Sequence, residues 1–193
     1  MSRSFYETYK TYPYDFELYV TFEIIDNELK ISYRFVNPTD NDIYFFFGCH
    51  ESYKVDKDIG NYYLEFEKDE QFDSLNVSEE KYVHIGEGKY LDLNSPLLEN
   101  SETIILHNIN SRFVTLKRKV DDMTVASTSF NDFPNLLIWH SIGSQMVCLE
   151  PWMNLPDLSD DKEKELKEKE HVVKLAGKQE RIMTRSIYYH GNK

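Results

Sequence analysis

Positive charge is scarce in this sequence: 22 lysines and arginines stand against 34 aspartates and glutamates, a net charge of -12 over 193 residues. A surface that acidic repels phosphate backbones and anionic headgroups, so nucleic acid and membrane surfaces are poor partners. Long apolar runs are missing too; none approaches the roughly 20 residues of a membrane-spanning helix. The first residues, MSRSFYETYKTYPYDF, lack the apolar core of a secretion signal. Cysteine occurs only at Cys49 and Cys148, and the expected setting is the reducing cytoplasm. Nucleotide and metal patterns are also lacking: there is no Walker loop, dinucleotide glycine pattern, zincin motif or paired-cysteine spacing. The six histidines, at 50, 84, 107, 140, 171 and 190, are scattered, with none placed i, i+4 to another. Neither a metal nor a cofactor is expected.

Glycine and proline are few as well, 7 and 6, whereas tyrosine and phenylalanine number 14 and 12. That balance favours a folded β-rich domain over disorder. Phe16–Ile25 and Leu29–Val36 flank Asp26-Asn27-Glu28, the pattern of a tight hairpin. In the second of these, Leu29, Ile31, Tyr33 and Phe35 fall on one face and Lys30, Ser32 and Arg34 on the other. Ile43–His50 is apolar on both faces and predicts an interior strand. Short strands are expected at Tyr62–Glu67, Lys81–Ile85, Thr103–His107, Arg112–Lys117, Met123–Ser129 and Arg181–Tyr189. Asn135–His140 and Met146–Glu150 bracket Ser141–Gln145 as another hairpin. Only Leu158–His171 breaks the pattern, a mixed-charge run expected to be a solvated loop or short exposed helix. Many short strands separated by turns, with no linker or repeat, predict an all-β antiparallel sandwich in one domain, residues 1–193.

A few residues stand out chemically. Cys49 and His50 are adjacent on a strand, so they point to opposite faces and form no nucleophilic dyad. His50 ends a very apolar strand just after Gly48; it is either a satisfied structural histidine or a proton donor at the mouth of a sheet. His140, ending Leu-Ile-Trp-His, has the same two readings and is a candidate for substrate contact. Glu150 sits among Val147, Leu149, Pro151 and Trp152, where a carboxylate is costly to bury without partners. Strand alternation puts Met146, Cys148, Glu150 and Trp152 on one face. A carboxylate beside an indole suits a sugar, the acid accepting hydroxyl hydrogen bonds and the ring covering the apolar C–H face. The plainer reading is a rim carboxylate paired with a lysine or arginine.

Several segments, in order, resemble the aldose 1-epimerases, the galactose mutarotase-like proteins, and especially their bacterial LacX-like branch. Tyr12-Pro-Tyr-Asp-Phe-Glu-Leu18 is similar to the family's YPFDFEL segment, and Phe47-Gly-Cys-His50 to its G-x-H motif. Tyr63-Leu-Glu-Phe-Glu67 follows as expected. Asn131-Asp-Phe-Pro-Asn-Leu-Leu-Ile-Trp139 and Val147-Cys-Leu-Glu-Pro-Trp152 resemble its FPYLxIW and CIEPW strands. The resemblance implies a galactose mutarotase-like supersandwich, N-terminally shortened, that interconverts the α and β anomers of a free aldose without a cofactor. Carried over, Glu150 is the general base on the anomeric hydroxyl and His50 the general acid on the ring oxygen, with Trp152 beside the sugar.

The departures set further expectations. Glu51 replaces the usual proline after the histidine, and a negative charge there is expected to favour protonated His50. The glycine after the EPW stretch is replaced around Met153-Asn154. The family's further N-terminal strands, which supply an arginine and another histidine to the sugar site, have no match. The resulting alternatives are a catalytically weak or inactive carbohydrate-binding relative, or one half of a split epimerase. Uncovered sheet edges and apolar faces predict a homodimer or a partner chain that completes the sandwich.

Overall fold

The computed structural model describes residues 2–3, 6–100, 102–158, 160 and 163–190. The chain opens with β1 (Ser2–Arg3), α1 (Tyr6–Thr11), β2 (Glu17–Ile25), β3 (Glu28–Val36), β4 (Ile43–Phe45) and β5 (Glu51–Lys54). Two long strands follow, β6 (Tyr62–Asn76) and β7 (Lys81–Asp92), then α2 (Pro96–Glu99) and β8 (Ile104–Leu106). The remainder is β9 (Phe113–Arg118), β10 (Met123–Ser129), β11 (Asn135–Trp139), β12 (Met146–Trp152), β13 (Val173–Leu175) and β14 (Glu180–Tyr189).

These strands build one curled antiparallel sheet of 12 strands, in the order β1-β2-β3-β14-β10-β9-β6-β8-β11-β12-β5, with β7 beside β6. A second, two-stranded sheet pairs β13 with β4. The fold is all-β and antiparallel, as the strand and turn pattern predicts. The β2–β3 hairpin closes Ile25 on Glu28, and Asp26 takes the positive φ of 54° that such a tight turn needs. On β3 the inward residues Ile31, Tyr33 and Phe35 are buried, the alternation read from the sequence. They join Leu64 and Phe66 of β6, Val114 and Leu116 of β9, Leu136 and Ile138 of β11, and Val147 and Leu149 of β12 in the main core.

Several elements differ from expectation: β5, β13, α1 and α2 are not foreseen by the sequence pattern, and the strand from Lys81 runs on past Ile85 to Asp92. The apolar run Ile43–His50 is not an interior strand: β4 ends at Phe45 and lies in the small sheet. The run is apolar throughout because the chain crosses there from the small sheet to the large one, packing Phe45, Phe47 and Cys49 inward on the way. The strand from Tyr62 continues to Asn76, far past Glu67. Its polar middle, Lys68–Asp73, hides the strand in the sequence, and register shifts between Glu65 and Glu70 and between Phe72 and Asp73 accommodate it. In the mixed-charge run, Leu166–Glu168 forms a single 3-10 turn, while Ser159, Asp161 and Lys162 lie outside the described residues.

The β2 end of the sheet leaves apolar surface open. Val20, Phe22 and Ile24 pair with Tyr33, Ile31 and Leu29, so they continue the inward face of β3. Yet Phe22 and Ile24 are 64% and 80% exposed.

Candidate functional site

The site forms where residues 47–54 run antiparallel to residues 146–153. The β5–β12 ladder pairs Glu51 with Leu149 and Ser52 with Cys148. The same register holds upstream of β5, where Gly48 bridges Trp152, the Cys49 N–H donates to the Pro151 carbonyl at 2.9 Å, and the Met153 N–H donates to the Phe47 carbonyl at 2.9 Å. His50 is thereby set opposite Glu150, its Nε2 3.2 Å from Glu150 Oε1. The side chains differ sharply in setting, 61% exposed for His50 and 4% for Glu150. The buried Asn154, just past the Pro151-Trp152 pair, accepts from the Phe47 N–H at 2.9 Å and so anchors this segment.

Alternation along residues 49–51 turns both neighbours of His50 away from it. Cys49 points into the core, where its Sγ donates to the Tyr33 hydroxyl at 3.3 Å. Glu51 also points inward, and Arg185 Nη1 donates to its Oε2 at 2.5 Å. The charge of Glu51 is therefore matched by a buried guanidinium, not left beside the imidazole as the sequence suggested. Gly48 has its own physical reason: a Cβ there would lie 2.5 Å from Trp152 Cδ1. Only glycine lets the indole lie flat against this backbone.

His50, Glu150 and Trp152 open onto a cavity of about 620 Å³, with Trp139, Leu137 and Ile105 among its other walls. The His50 and Trp139 rings meet edge to face, centroids 6.3 Å apart. A larger groove of about 790 Å³, walled by residues such as Glu65, Arg112 and Thr184, contains no histidine. The smaller cavity is the one whose walls bring an imidazole and a buried carboxylate together.

Burial raises the Glu150 carboxyl above the ordinary carboxylate value; His50 and the Trp152 indole N–H oppose this, and Glu51 adds to it. The indole nitrogen is itself buried without a hydrogen-bond partner at normal geometry among the described residues. Glu70 shows the contrast. It is equally buried, but accepts from the N–H and side chain of both Asn110 and Ser111. Glu70 has its hydrogen-bond partners in place, whereas the buried Glu150 faces the mostly exposed imidazole of His50.

Solved structures share this architecture. A galactose mutarotase-like protein from Lactobacillus casei superposes with a TM-score of 0.82 at 24% identity, covering 98% of this chain and 68% of that one. The fold is galactose mutarotase-like. A galactose mutarotase related enzyme from Lactobacillus acidophilus gives a TM-score of 0.78 at 20% identity, over 98% of this chain and 66% of its own. The LacX resemblance also holds at the level of sequence: the plasmid and chromosomal LacX proteins of Lactococcus lactis are each 28% identical over 169 residues, covering 77% of this chain. The match takes in 54% of LacX, so the chain spans about half the length of these curated relatives. No family model matches the chain.

Within this mutarotase-like fold the four residues singled out from the sequence divide. His50, Glu150 and Trp152 come together around the cavity. His140 does not join them. It is buried, its Nδ1 lies 2.7 Å from the Met146 carbonyl, and it closes the β11–β12 hairpin. Its neighbour Trp139 is the cavity residue, because Leu137 and Trp139 face the cavity while Leu136 and Ile138 face the core. Alternation from a core-facing Ile138 puts the next residue, Trp139, on the cavity side, but only once the inward face of β11 is known.

Proposed function

We propose that this chain interconverts the anomers of a free aldose, with Glu150 as general base and His50 as general acid. The observation that carries this reading is the 3.2 Å approach of an exposed imidazole to a buried carboxylate at the wall of an indole-lined cavity. The hemiacetal presents two oxygens on one carbon, and a pair so close can reach both. Glu150 takes the proton from the anomeric hydroxyl while His50 gives one to the ring oxygen. The C1–O5 bond breaks, the aldehyde forms, C1 turns about the C1–C2 bond, and the reverse transfers close the other anomer. The raised affinity of Glu150 for a proton makes it a stronger base than a solvated carboxylate. Trp139 and Trp152 offer apolar faces to the sugar ring. The two buried free thiols, Cys49 and Cys148, suit a cytoplasmic setting.

The reading includes a second protein chain over the open face of β2, since Val20, Phe22 and Ile24 extend a core-facing surface into solvent. Polarimetry on freshly dissolved α-glucose and α-galactose tests the chemistry. Wild type accelerates the change in rotation, and Glu150→Gln and His50→Asn each slow it by about 100-fold or more. A wild type no faster than both variants overturns the assignment. Sugar binding by calorimetry without turnover identifies a carbohydrate-binding protein instead.

A further inference from the structure

The paired strands bring a third side chain to the His50–Glu150 pair. Cys148 lies two residues before Glu150 on the same face of β12, and it is fully buried and free. One ligand atom from each of His50, Cys148 and Glu150 falls within 4.8 Å of the others. We propose that these three side chains form a Zn²⁺ site whose fourth position faces the sugar cavity.

The donor set points to this metal class. A thiolate, an imidazole and a carboxylate are borderline to soft ligands that suit Zn²⁺, whereas Mg²⁺ and Ca²⁺ take all-oxygen sets. Thiolate and carboxylate together balance the charge of a divalent ion. Tetrahedral Zn²⁺, with bonds of about 2.0–2.3 Å, sets its ligand atoms roughly 3.3–3.8 Å apart. The His50–Glu150 pair is already close to that spacing at 3.2 Å. The remaining closure falls to small side-chain rotations, for which the exposed imidazole has room. Ser52 is the outer support: its Oγ lies 3.1 Å from Cys148 Sγ, placed to donate to the thiolate. Cys148 keeps its proton in the free protein, since burial and the charge of Glu150 both push its thiol up. Metal binding displaces that proton. Sequence spacing shows none of this, because the ligands come from two strands.

Occupancy has a chemical consequence, which rests on the anomerisation reading. The metal takes the imidazole lone pair and a carboxylate oxygen, so a loaded site cannot carry out the two proton transfers. Zn²⁺ then acts as an inhibitor that competes with sugar for one cavity.

Titration of the full chain with Co²⁺, followed by absorption, tests the site without reference to turnover. Wild type shows a thiolate-to-cobalt charge-transfer band in the near ultraviolet, and Zn²⁺ abolishes it. Cys148→Ser loses the band, and His50→Asn weakens Co²⁺ binding by at least about tenfold. Because the His50 side chain is mostly solvent-exposed, that variant stays informative even if Cys148→Ser fails to fold. Co²⁺ binding without the band overturns the proposal, as does binding undiminished in His50→Asn or lost instead on substitution of His107, whose ring lies 5.7 Å from that of His171. In polarimetry, Zn²⁺ suppresses the wild-type rate, a chelator restores it, and Cys148→Ser resists it. A band in a protein that lacks mutarotation supports the metal site and removes the anomerisation reading alone.

Discussion

His50 Nε2 and Glu150 Oε1 lie 3.2 Å apart although one side chain is mostly in water and the other is buried. The contact is a product of register: Gly48 opposite Trp152 and Glu51 opposite Leu149 leave His50 opposite Glu150. The pair sits at a sheet edge that ends in a cavity, so a ligand can reach both groups without opening the core. The two groups differ in setting. The desolvated carboxyl binds protons more tightly than usual, while the imidazole side chain is open to solvent.

The pH dependence follows from Glu150. On the proposed anomerisation the base must be ionised, so turnover is expected to rise with pH on an acid limb that lies above the ordinary carboxylate value of 4.5. The same shift has a stability signature. The folded chain keeps a proton that the unfolded chain releases, so stability falls as pH rises from the ordinary value through the raised one. Glu150→Gln lacks this loss and gains on wild type across that window. Urea unfolding at stepped pH reads the difference, and parallel curves would rule out a raised Glu150.

Gly48→Ala places a methyl group 2.5 Å from the Trp152 ring, so the indole must move. The expected cost is about 1–3 kcal/mol, with a changed tryptophan emission spectrum because Trp152 leaves its half-buried position. Thermal unfolding and fluorescence check this together; an unaltered spectrum would mean the ring is not seated against the backbone.

Arg185 is fully buried against Glu51, and its Nε and Nη2 lack hydrogen-bond partners among the described residues. Glu51→Gln leaves that guanidinium uncompensated and destabilises the fold by about 3 kcal/mol. The double variant Glu51→Gln, Arg185→Met recovers most of the loss, since no buried charge remains. A double-mutant cycle in urea measures the coupling, and additive effects would mean that the pair is not coupled.

Phe22→Glu together with Ile24→Lys tests the open β2 face. Light scattering gives a mass above that of one chain for the wild type, alone or with its partner, and a single-chain mass for the variant, with its melting temperature within a few degrees. A monomeric wild type that stays soluble and folded would show that the face needs no cover.

Much of the local structure was legible. On β3 the period-two pattern from Leu29 to Phe35 named the buried face, because a half-buried strand must alternate. Asp26-Asn27 marked its turn, and the GCH and CLEPW segments pointed to His50, Glu150 and Trp152. Legibility failed where one residue serves two surroundings. Ile43–His50 is apolar throughout because it crosses between sheets, not because it is a central strand. Lys68–Asp73 is polar because β6 is irregular there, not because the strand has ended. His140 and Trp139 were interchangeable until the core side of β11 was known.

The sequence by itself determined that the chain is antiparallel β, which residues of each regular strand share a face, and that a carboxylate lies among apolar neighbours. Those properties depend on adjacent residues and the steric period of the strand. Only the tertiary structure decided that Glu150 meets His50, that Cys148 joins them, that Arg185 claims Glu51, and that Trp139 rather than His140 lines the cavity. Each of these depends on which strands pair and in what register. Long-range burial and backbone hydrogen bonding set that choice, and no local run of residues encodes it.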